Sequence, residues 1–288
     1  MKELVIISGK GGTGKTSLTA SFAALAGKAA LADCDVDAAD LHLLLSPRIM
    51  ERHEFFSGNE AVIDPARCKE NGSCIEACRF EAIGFSGGRV VVDPYACEGC
   101  GACLRVCESH AIDFPERKCG EWYESETKYG PMIHARLAPA GENSGKLVTQ
   151  VRQAAKAAAE RLQRDIVLVD GPPGIGCPVI ASLSGASAVL VVAEPTVSGE
   201  HDMERVLQLA GHFGVPAMIC VNKWDLNPEA ASRIELKAEK SGAVPVGRIP
   251  YDHTFTEAMI NGKLVIHYSE SEASKSILQV WRNVCRAL

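Results

Sequence analysis

The sequence lacks any apolar stretch approaching the roughly 18 residues that a membrane-spanning helix needs, and its first apolar run, Leu4–Ile7, leads directly into a glycine-rich loop. It has few aromatic residues, 6% of the chain, and no long run of lysine and arginine. With a net charge of −6, it offers no basic footprint of the kind that binds nucleic acid. We therefore expect a soluble, cytoplasmic protein without an integral membrane segment and without direct nucleic-acid binding.

Cysteine, in contrast, is abundant: the chain has 12, and seven of them lie between Cys68 and Cys107. Because the expected compartment keeps thiols reduced, a disulfide framework is not expected, and metal binding is the better interpretation. The remaining five are Cys34, Cys119, Cys177, Cys220 and Cys285.

Apolar strand-like runs alternate with helical patterns along most of the chain, which predicts an α/β fold with a doubly wound, mostly parallel sheet. The closing segment, Glu272–Leu288, predicts an amphipathic helix that packs on this sheet, with membrane targeting as the alternative. The predicted strands are Leu4–Ser8, Ala29–Ala32, Ile166–Asp170, Ala188–Ala193 and Ala217–Asn222, and the other predicted helices are Lys15–Ala26, Lys146–Leu162, His201–Phe213 and Pro228–Lys240.

Residues 57–118 break this alternation with short segments punctuated by glycine, proline and cysteine. Two similar copies lie inside, from Ile63 to Ile83 and from Val92 to Ile112, and each opens with an aspartate and a proline. An internal repeat of this kind predicts a pseudo-twofold module. We therefore expect residues 57–118 to form a small α+β domain inserted into a larger domain built from residues 1–56 and 119–288.

A phosphate-binding motif, GxxxxGK[ST], occupies residues 9–16 between a predicted strand and a predicted helix. Glycines let the backbone N–H groups turn toward phosphate oxygens, while Lys15 supplies charge to the terminal phosphates and Thr16 a hydroxyl ligand for Mg²⁺. The predicted nucleotide-contacting residues here are Gly9, Gly11, Gly12, Thr13, Gly14, Lys15, Thr16 and Ser17.

Lys10 adds a second lysine to the loop, giving Lys-Gly-Gly-Thr-Gly-Lys-Thr. This form resembles the MinD/Mrp/ParA family of P-loop ATPases, which also includes the nitrogenase iron protein. The resemblance implies that Lys10 reaches the nucleotide of a partner subunit, and hence that ATP drives a face-to-face homodimer. An ordinary surface lysine is the alternative.

Two further motifs match that family in the same order. Asp35, between Asp33 and Asp37, follows the second strand, and Asp170 ends the strand before Gly174. The resemblance implies that Asp35 orients the attacking water, that Asp170 joins Thr16 in holding Mg²⁺, and that Gly174 offers its N–H to the γ-phosphate. Catalysis of ATP hydrolysis is accordingly assigned to Lys10, Lys15, Asp35 and Asp170.

The base-binding residues are predicted as Asn222, in the segment Asn-Lys-Trp-Asp, and Pro250, in the segment Ile-Pro-Tyr-Asp. The first segment is similar both to the guanine-reading motif of GTPases and to the asparagine that contacts adenine in MinD relatives. Lys10 and the Pro250 segment favour ATP, and GTP remains the alternative.

The second repeat carries four cysteines spaced as in bacterial-type ferredoxins, in which three thiolates hold one 4Fe-4S cluster and the fourth reaches a neighbouring cluster. The first repeat keeps the spacing but has Asn71 at the second ligand position. The crossover rule then assigns one cluster to Cys78, Cys97, Cys100 and Cys103, and a second to Cys68, Cys74 and Cys107.

Three thiolates suit a 3Fe-4S cluster or a 4Fe-4S cluster with one labile iron. The alternatives are a zinc site, the loss of the second cluster, and recruitment of Cys119 as an extra ligand. By resemblance to the nitrogenase iron protein, Cys177 could hold a cluster that bridges a dimer, or it could pack in the interior.

The motifs together resemble MinD-type ATPases with an inserted ferredoxin domain, and three functions follow. The leading hypothesis is ATP-gated electron transfer to a redox partner, because the insertion begins soon after Asp35 and switch movement could reach it. The alternatives are an iron–sulfur scaffold or carrier that serves an acceptor protein, as Mrp relatives do, and a MinD-like spatial organiser whose clusters sense redox state.

Overall fold

The computed structural model describes residues 1–139, 141 and 144–288. These residues form thirteen strands and eleven helices, with a short 3-10 turn at Trp224–Leu226. The strands are β1 (Lys2–Ser8), β2 (Ala29–Asp33), β3 (Arg48–Asn59), β4 (Val62–Ile63), β5 (Ile83–Ser86), β6 (Arg89–Val92), β7 (Ile112–Asp113), β8 (Glu116–Thr127), β9 (Gly130–Leu137), β10 (Ile166–Pro173), β11 (Ala188–Ala193), β12 (Ala217–Asn222) and β13 (Val244–Ile249). The helices are α1 (Lys15–Ala26), α2 (Leu41–Leu45), α3 (Ser73–Ala77), α4 (Ala102–Val106), α5 (Ser144–Arg161), α6 (Cys177–Leu183), α7 (Val197–His212), α8 (Pro228–Lys240), α9 (Thr254–Ile260), α10 (Val265–Tyr268) and α11 (Glu272–Ala287).

Nine strands form one sheet in the order β13-β12-β11-β1-β10-β2-β9-β8-β3. Every neighbouring pair from β13 through β9 is parallel. The predicted α/β class with a mostly parallel sheet is therefore confirmed. Because the carboxyl ends of parallel strands meet at one edge, the loops that follow β1, β2, β10, β11 and β12 gather there.

The long strands β3, β8 and β9 were not predicted from the sequence. In β3 most side chains are exposed, including charged ones such as Glu51 and Arg52, so its sequence carries no apolar alternation. Edge strands commonly expose charged side chains of this kind. A strand of this type has no periodic signal by which to recognise it.

One hydrophobic core lies on the face of the sheet covered by α1, α10 and α11. Phe22 of α1 is fully buried, and its ring lies 4.8 Å from that of Trp281 in α11. Ile277, Val280 and Val284 of α11 are buried as well, so the closing helix packs on the sheet, as the leading prediction for it stated. Within the described part of the chain, no helix combines the length and apolar composition needed to cross a bilayer.

The chain divides into two compact units, the first formed by residues 1–53, 122–136 and 144–288, and the second by residues 54–121 and 137–143. All of the residues predicted as an insertion, 57–118, fall in the second unit. This unit contains two small antiparallel pairs, β4 with β7 and β5 with β6, and the short helices α3 and α4. Its core contains Cys74, Cys103, Ile83 and Val90, so thiols occupy positions that aliphatic side chains would fill elsewhere.

Candidate functional site

The glycine-rich loop joins β1, which ends at Ser8, to α1, which begins at Lys15. A side chain at Gly9 would stand 2.2 Å from Cβ of Asp202 in α7. Gly14 has φ of 88°, and a Cβ there would lie 2.6 Å from Nδ2 of Asn222. Both positions therefore require glycine, the first for close packing and the second also for its backbone conformation.

Residues at the end of β12 hold this loop in place. Nδ2 of Asn222 donates to the carbonyl of Thr13 at 2.8 Å, and Nζ of Lys223 donates to the carbonyl of Gly12 at 3.2 Å. Thr13 is 2% exposed, and its hydroxyl has no hydrogen-bond partner within the described residues. A buried polar group without a partner is rare and is expected to be satisfied by a ligand or water.

Lys15 lies among three carboxyl groups. Its Nζ is 2.6 Å from Oδ2 of Asp35, and the lysine is 7% exposed. Burial opposes the ammonium charge, but attraction by Asp170, Asp35 and Asp33 outweighs it, so the pKa of Lys15 is raised. Lys15, the lysine predicted to bind phosphate, is therefore charged. In this structure its ammonium is paired with the carboxylate of Asp35 in place of a phosphate.

Asp170 is fully buried in β10, beside the first turn of α1. Burial raises its pKa to about 6, although the charge of Lys15 and the hydroxyls of Thr16 and Thr19 favour the carboxylate. Thr19 donates to Oδ1 at 3.1 Å, whereas Oδ2 has no hydrogen-bond partner within the described chain. An unpaired buried carboxylate oxygen next to a threonine hydroxyl is a donor set that fits Mg²⁺ with its water ligands.

The three aspartates after β2 have different environments. Asp33 is fully buried and accepts hydrogen bonds from the backbone N–H of Asp35 and of Leu41, both at 3.2 Å. Burial and the nearby Asp170 raise the pKa of Asp33 well above its usual value. Asp35 forms the ion pair with Lys15, and Asp37 is exposed. Asp33 thus holds the segment that follows β2, while Asp35 faces Lys15, the lysine predicted to bind phosphate.

Lys10 forms an ion pair that the sequence did not indicate. Its Nζ lies 3.0 Å from Glu194, which is also 2.5 Å from Nζ of Lys223. Burial opposes the charge of Glu194, but hydrogen bonds from Lys223 and Lys10 lower its pKa. Glu194 directly follows β11 at the carboxyl edge of the sheet, and that position was the one signal by which it could have been found.

With this geometry, residues 4–265 match the family described as the CobQ/CobB/MinD/ParA nucleotide-binding domain. The chain belongs to this family. An uncharacterised protein of Methanocaldococcus jannaschii is 32% identical to it over 290 residues, which cover 98% of this chain and 96% of that protein. At the level of the family, the chain is an ATP-binding P-loop ATPase of MinD/ParA type.

Solved structures of MinD proteins share the fold. The cell division ATPase MinD of Pyrococcus furiosus has a TM-score of 0.59 and 18% identity, with 100% of this chain and 99% of that chain covered. The septum site-determining protein MinD of Pyrococcus horikoshii, solved with Mg-ADP, has a TM-score of 0.59 and 17% identity, with 98% and 95% covered. At these identities the likeness establishes the fold alone.

Some residues predicted from the MinD/ParA resemblance have internal hydrogen bonds in this structure. The N–H of Gly174 donates to the carbonyl of Ser8 at 2.8 Å, so contact with a γ-phosphate would require that bond to break. Asn222 uses its amide nitrogen on Thr13, and its oxygen accepts from the N–H of Lys223. Pro250 is buried directly after β13. Their contacts with the nucleotide remain predictions.

The second unit of this MinD/ParA-type chain contains two cavities lined by cysteines. The first is lined by Cys68, Cys74 and Cys107 together with Asn71. The second is lined by Cys78, Cys97, Cys100 and Cys103. Each cavity draws cysteines from both repeats, in the two sets that the crossover rule assigned.

No three histidine, cysteine, aspartate or glutamate side chains within the described residues lie near enough to hold one metal ion. Thiolates around a single tetrahedral zinc stand about 3.8 Å apart, since Zn–S bonds are about 2.3 Å. The described residues therefore show no preformed site for a single metal ion.

The two remaining cysteines of interest lie elsewhere. Cys119 is buried, and its thiol donates to the carbonyl of Ser57 at 3.1 Å, so it is occupied away from both cavities. Cys177 is the exposed first residue of α6, which contradicts the alternative in which it packs in the interior.

Proposed function

We propose that this protein binds and hydrolyses MgATP as a homodimer and couples the ATP-driven rearrangement to electron transfer through iron–sulfur clusters to a redox partner. The observation that carries the proposal is the pair of cysteine-lined cavities in a chain that also has a P-loop. Neither feature alone would lead to it.

The nucleotide part of the proposal uses the charges around Lys15. When ATP binds, Lys15 exchanges the carboxylate of Asp35 for the terminal phosphates, and Asp35 becomes free to accept a proton or hydrogen bond from the attacking water. Thr16 and Asp170 would hold Mg²⁺, which would supply positive charge to neutralise the phosphates. The unpaired oxygen of Asp170 and the unpaired hydroxyl of Thr13 support this assignment.

The dimer part of the proposal rests on Lys10. In the nucleotide-free chain its ammonium is paired with Glu194 and lies 3.4 Å from the hydroxyl of Thr196. These contacts hold the lysine within its own subunit. For Lys10 to reach a partner's nucleotide, Glu194 must retain Lys223 alone, and the negative phosphates of the partner supply the competing attraction.

The iron–sulfur part rests on the chemistry of the residues that line the two cavities. Thiolates are the usual protein ligands of such clusters, and a cluster is larger than a single ion, so its thiolates stand further apart than those around zinc. Cys78, Cys97, Cys100 and Cys103 would hold one 4Fe-4S cluster, and Cys68, Cys74 and Cys107 a second cluster of three-thiolate type. Bound clusters would supply one-electron transfer.

A second candidate function is an iron–sulfur scaffold or carrier. It is favoured by the three-cysteine cavity, because a cluster with an incomplete thiolate set exchanges iron and leaves the protein more readily. Transfer of clusters to an apo-acceptor, faster with MgATP, would favour it over electron transfer.

The experiment that tests the leading function is EPR of anaerobically purified protein, oxidised and then reduced with dithionite, with and without MgATP. Lys15→Ala, which loses nucleotide binding, is the matched control. Signals that shift with MgATP in the wild type and stay fixed in Lys15→Ala would support coupling. Clusters that are present but ignore MgATP in both proteins would refute it.

A further inference from the structure

The loop around Asn71 and the loop around Cys100 have matching backbone conformations at the flanking residues, although the first has asparagine where the second has cysteine. Asn71 lies between Glu70 (φ 54°) and Gly72 (φ 76°), and Cys100 lies between Gly99 (φ 60°) and Gly101 (φ 72°). Each loop then starts a five-residue helix, α3 or α4. Asn71 therefore occupies the backbone position of a ligand, and only the thiol is missing.

The shared backbone conformation is notable at Glu70. This residue adopts a left-handed conformation that disfavours residues other than glycine, where the second loop has Gly99. The first loop thus keeps the strained ligand-binding shape without supplying the ligand.

The side chain of Asn71 is a poor replacement for the thiol. Its Oδ1 accepts from the N–H of Ser73 at 3.4 Å, an interaction at the start of α3. Amide oxygen is a hard ligand, whereas iron in a sulfur cluster prefers soft thiolate. The residue is also exposed, as Cys100 is in the other loop, so this corner of the cavity is open to small molecules.

Charge distinguishes the two cavities at the equivalent position. Lys69 follows Cys68 and lines the three-cysteine cavity, whereas Glu98 follows Cys97 and lines the four-cysteine cavity. The cation Lys69, beside the corner left open by Asn71, lowers the free energy of a bound anion. The anion Glu98, beside the cavity with four cysteines, does not. The hydroxyl of Ser109, 3.6 Å from Sγ of Cys107, adds a hydrogen-bonding group to the same lining.

We propose that the three-cysteine cavity binds a small-molecule thiolate at the iron that Asn71 leaves without a cysteine, with Lys69 balancing the charge of the ligand. The inference rests on the proposed function, because it requires a 4Fe-4S cluster in this cavity, whose fourth iron would lie at the open corner. The thiol binds with loss of its proton to the buffer, and no electron is exchanged. The site is thus a ligand-binding position, and the other cavity has no such corner because Cys100 fills it.

The test uses full-length protein with anaerobically reconstituted clusters, freed of thiols by desalting, and 2-mercaptoethanol as the probe. EPR of the reduced protein and Mössbauer spectra of ⁵⁷Fe-labelled protein report the occupied corner directly. We expect a saturable change in one of the two clusters of the wild type. Asn71→Cys should abolish the change, and Cys100→Asn should create a second one.

Lys69→Glu tests the charge with the loop intact, and it should weaken the apparent affinity for the thiolate roughly tenfold at low salt. Lys28→Glu, at an exposed lysine of the first unit, is the control and should leave the affinity unchanged.

The outcomes separate the two proposals. Wild-type protein that binds no iron and sulfide would overturn the proposed function itself. Two clusters with no response to the thiol, or an equal response in Asn71→Cys, would overturn this inference and leave the proposed function standing.

Discussion

Replacing Asp170 by asparagine should stabilise the nucleotide-free protein at neutral pH. Burial raises the pKa of this carboxyl from 3.8 to about 6. Each pKa unit corresponds to about 1.4 kcal/mol, so holding the charged form inside the fold costs about 3 kcal/mol. Thr19 can still donate to the amide oxygen of asparagine, so the substitution preserves that hydrogen bond.

The sign of the pH dependence follows from the direction of the shift. Because the pKa is higher in the folded than in the unfolded chain, the folded state binds the proton more tightly. The contribution of Asp170 to stability is therefore complete below about pH 4 and is lost as pH rises through 6. Between pH 5 and 8, the loss amounts to about 1.5 kcal/mol.

The assay is urea unfolding at pH 5 and pH 8, with EDTA and without nucleotide. The stability advantage of Asp170→Asn over wild type should grow by about 1.5 kcal/mol from pH 5 to pH 8. Asp165→Asn, at an exposed aspartate just before β10, is the matched control and should follow the wild type. Parallel pH curves for wild type and Asp170→Asn would refute the reasoning. Addition of MgATP should stabilise the wild type and give Asp170→Asn little benefit.

Three further predictions address other parts of the molecule. Lys15→Ala should abolish nucleotide binding in calorimetry. Lys10→Ala should preserve binding yet reduce ATP-driven dimerisation and hydrolysis. Unchanged light scattering and ATPase rates in Lys10→Ala would contradict the proposed role of that lysine. Burial and the nearby His42 lower the pKa of His134 to about 4. The folded state should therefore lose about 3 kcal/mol as pH falls from 6.5 to 4, a dependence that His134→Gln should remove in urea titrations; an unaltered acid limb would contradict it. Cys103→Ser should reduce bound iron and sulfide by roughly half if each cavity holds its own cluster, and full metal content in this variant would exclude that arrangement.

The P-loop part of the site was predictable because its chemistry is local. A strand, a glycine-rich loop and a helix occur in sequence, and a single motif defines them. Lys15 was identified in this way, whereas Asp35 and Asp170 were identified by resemblance to the MinD/Mrp/ParA family. The structure brings the three together at the carboxyl edge of the sheet. The spacing of the cysteines likewise determined the two sets that line the two cavities.

Other contacts had no local signal. Glu194 and Asp202 lie far from the loop in sequence, and the parallel pairing of β1 with β11 brings them against Lys10 and Gly9. The strand β3 escaped prediction because its exposed, charged side chains carry no periodic pattern, and β8 because its buried, half-buried and exposed positions do not alternate.

The sequence by itself determined the fold class, the phosphate-binding loop and the division of seven cysteines into the two sets that line the cavities, because these depend on residue type at fixed spacing. The tertiary structure decided the electrostatic state of the site: that Lys15 is paired with Asp35, that Lys10 is held by Glu194, and that Asp170 is buried with one oxygen unpaired. Burial and distance set the free energies of these charges, and neither can be read from a linear chain.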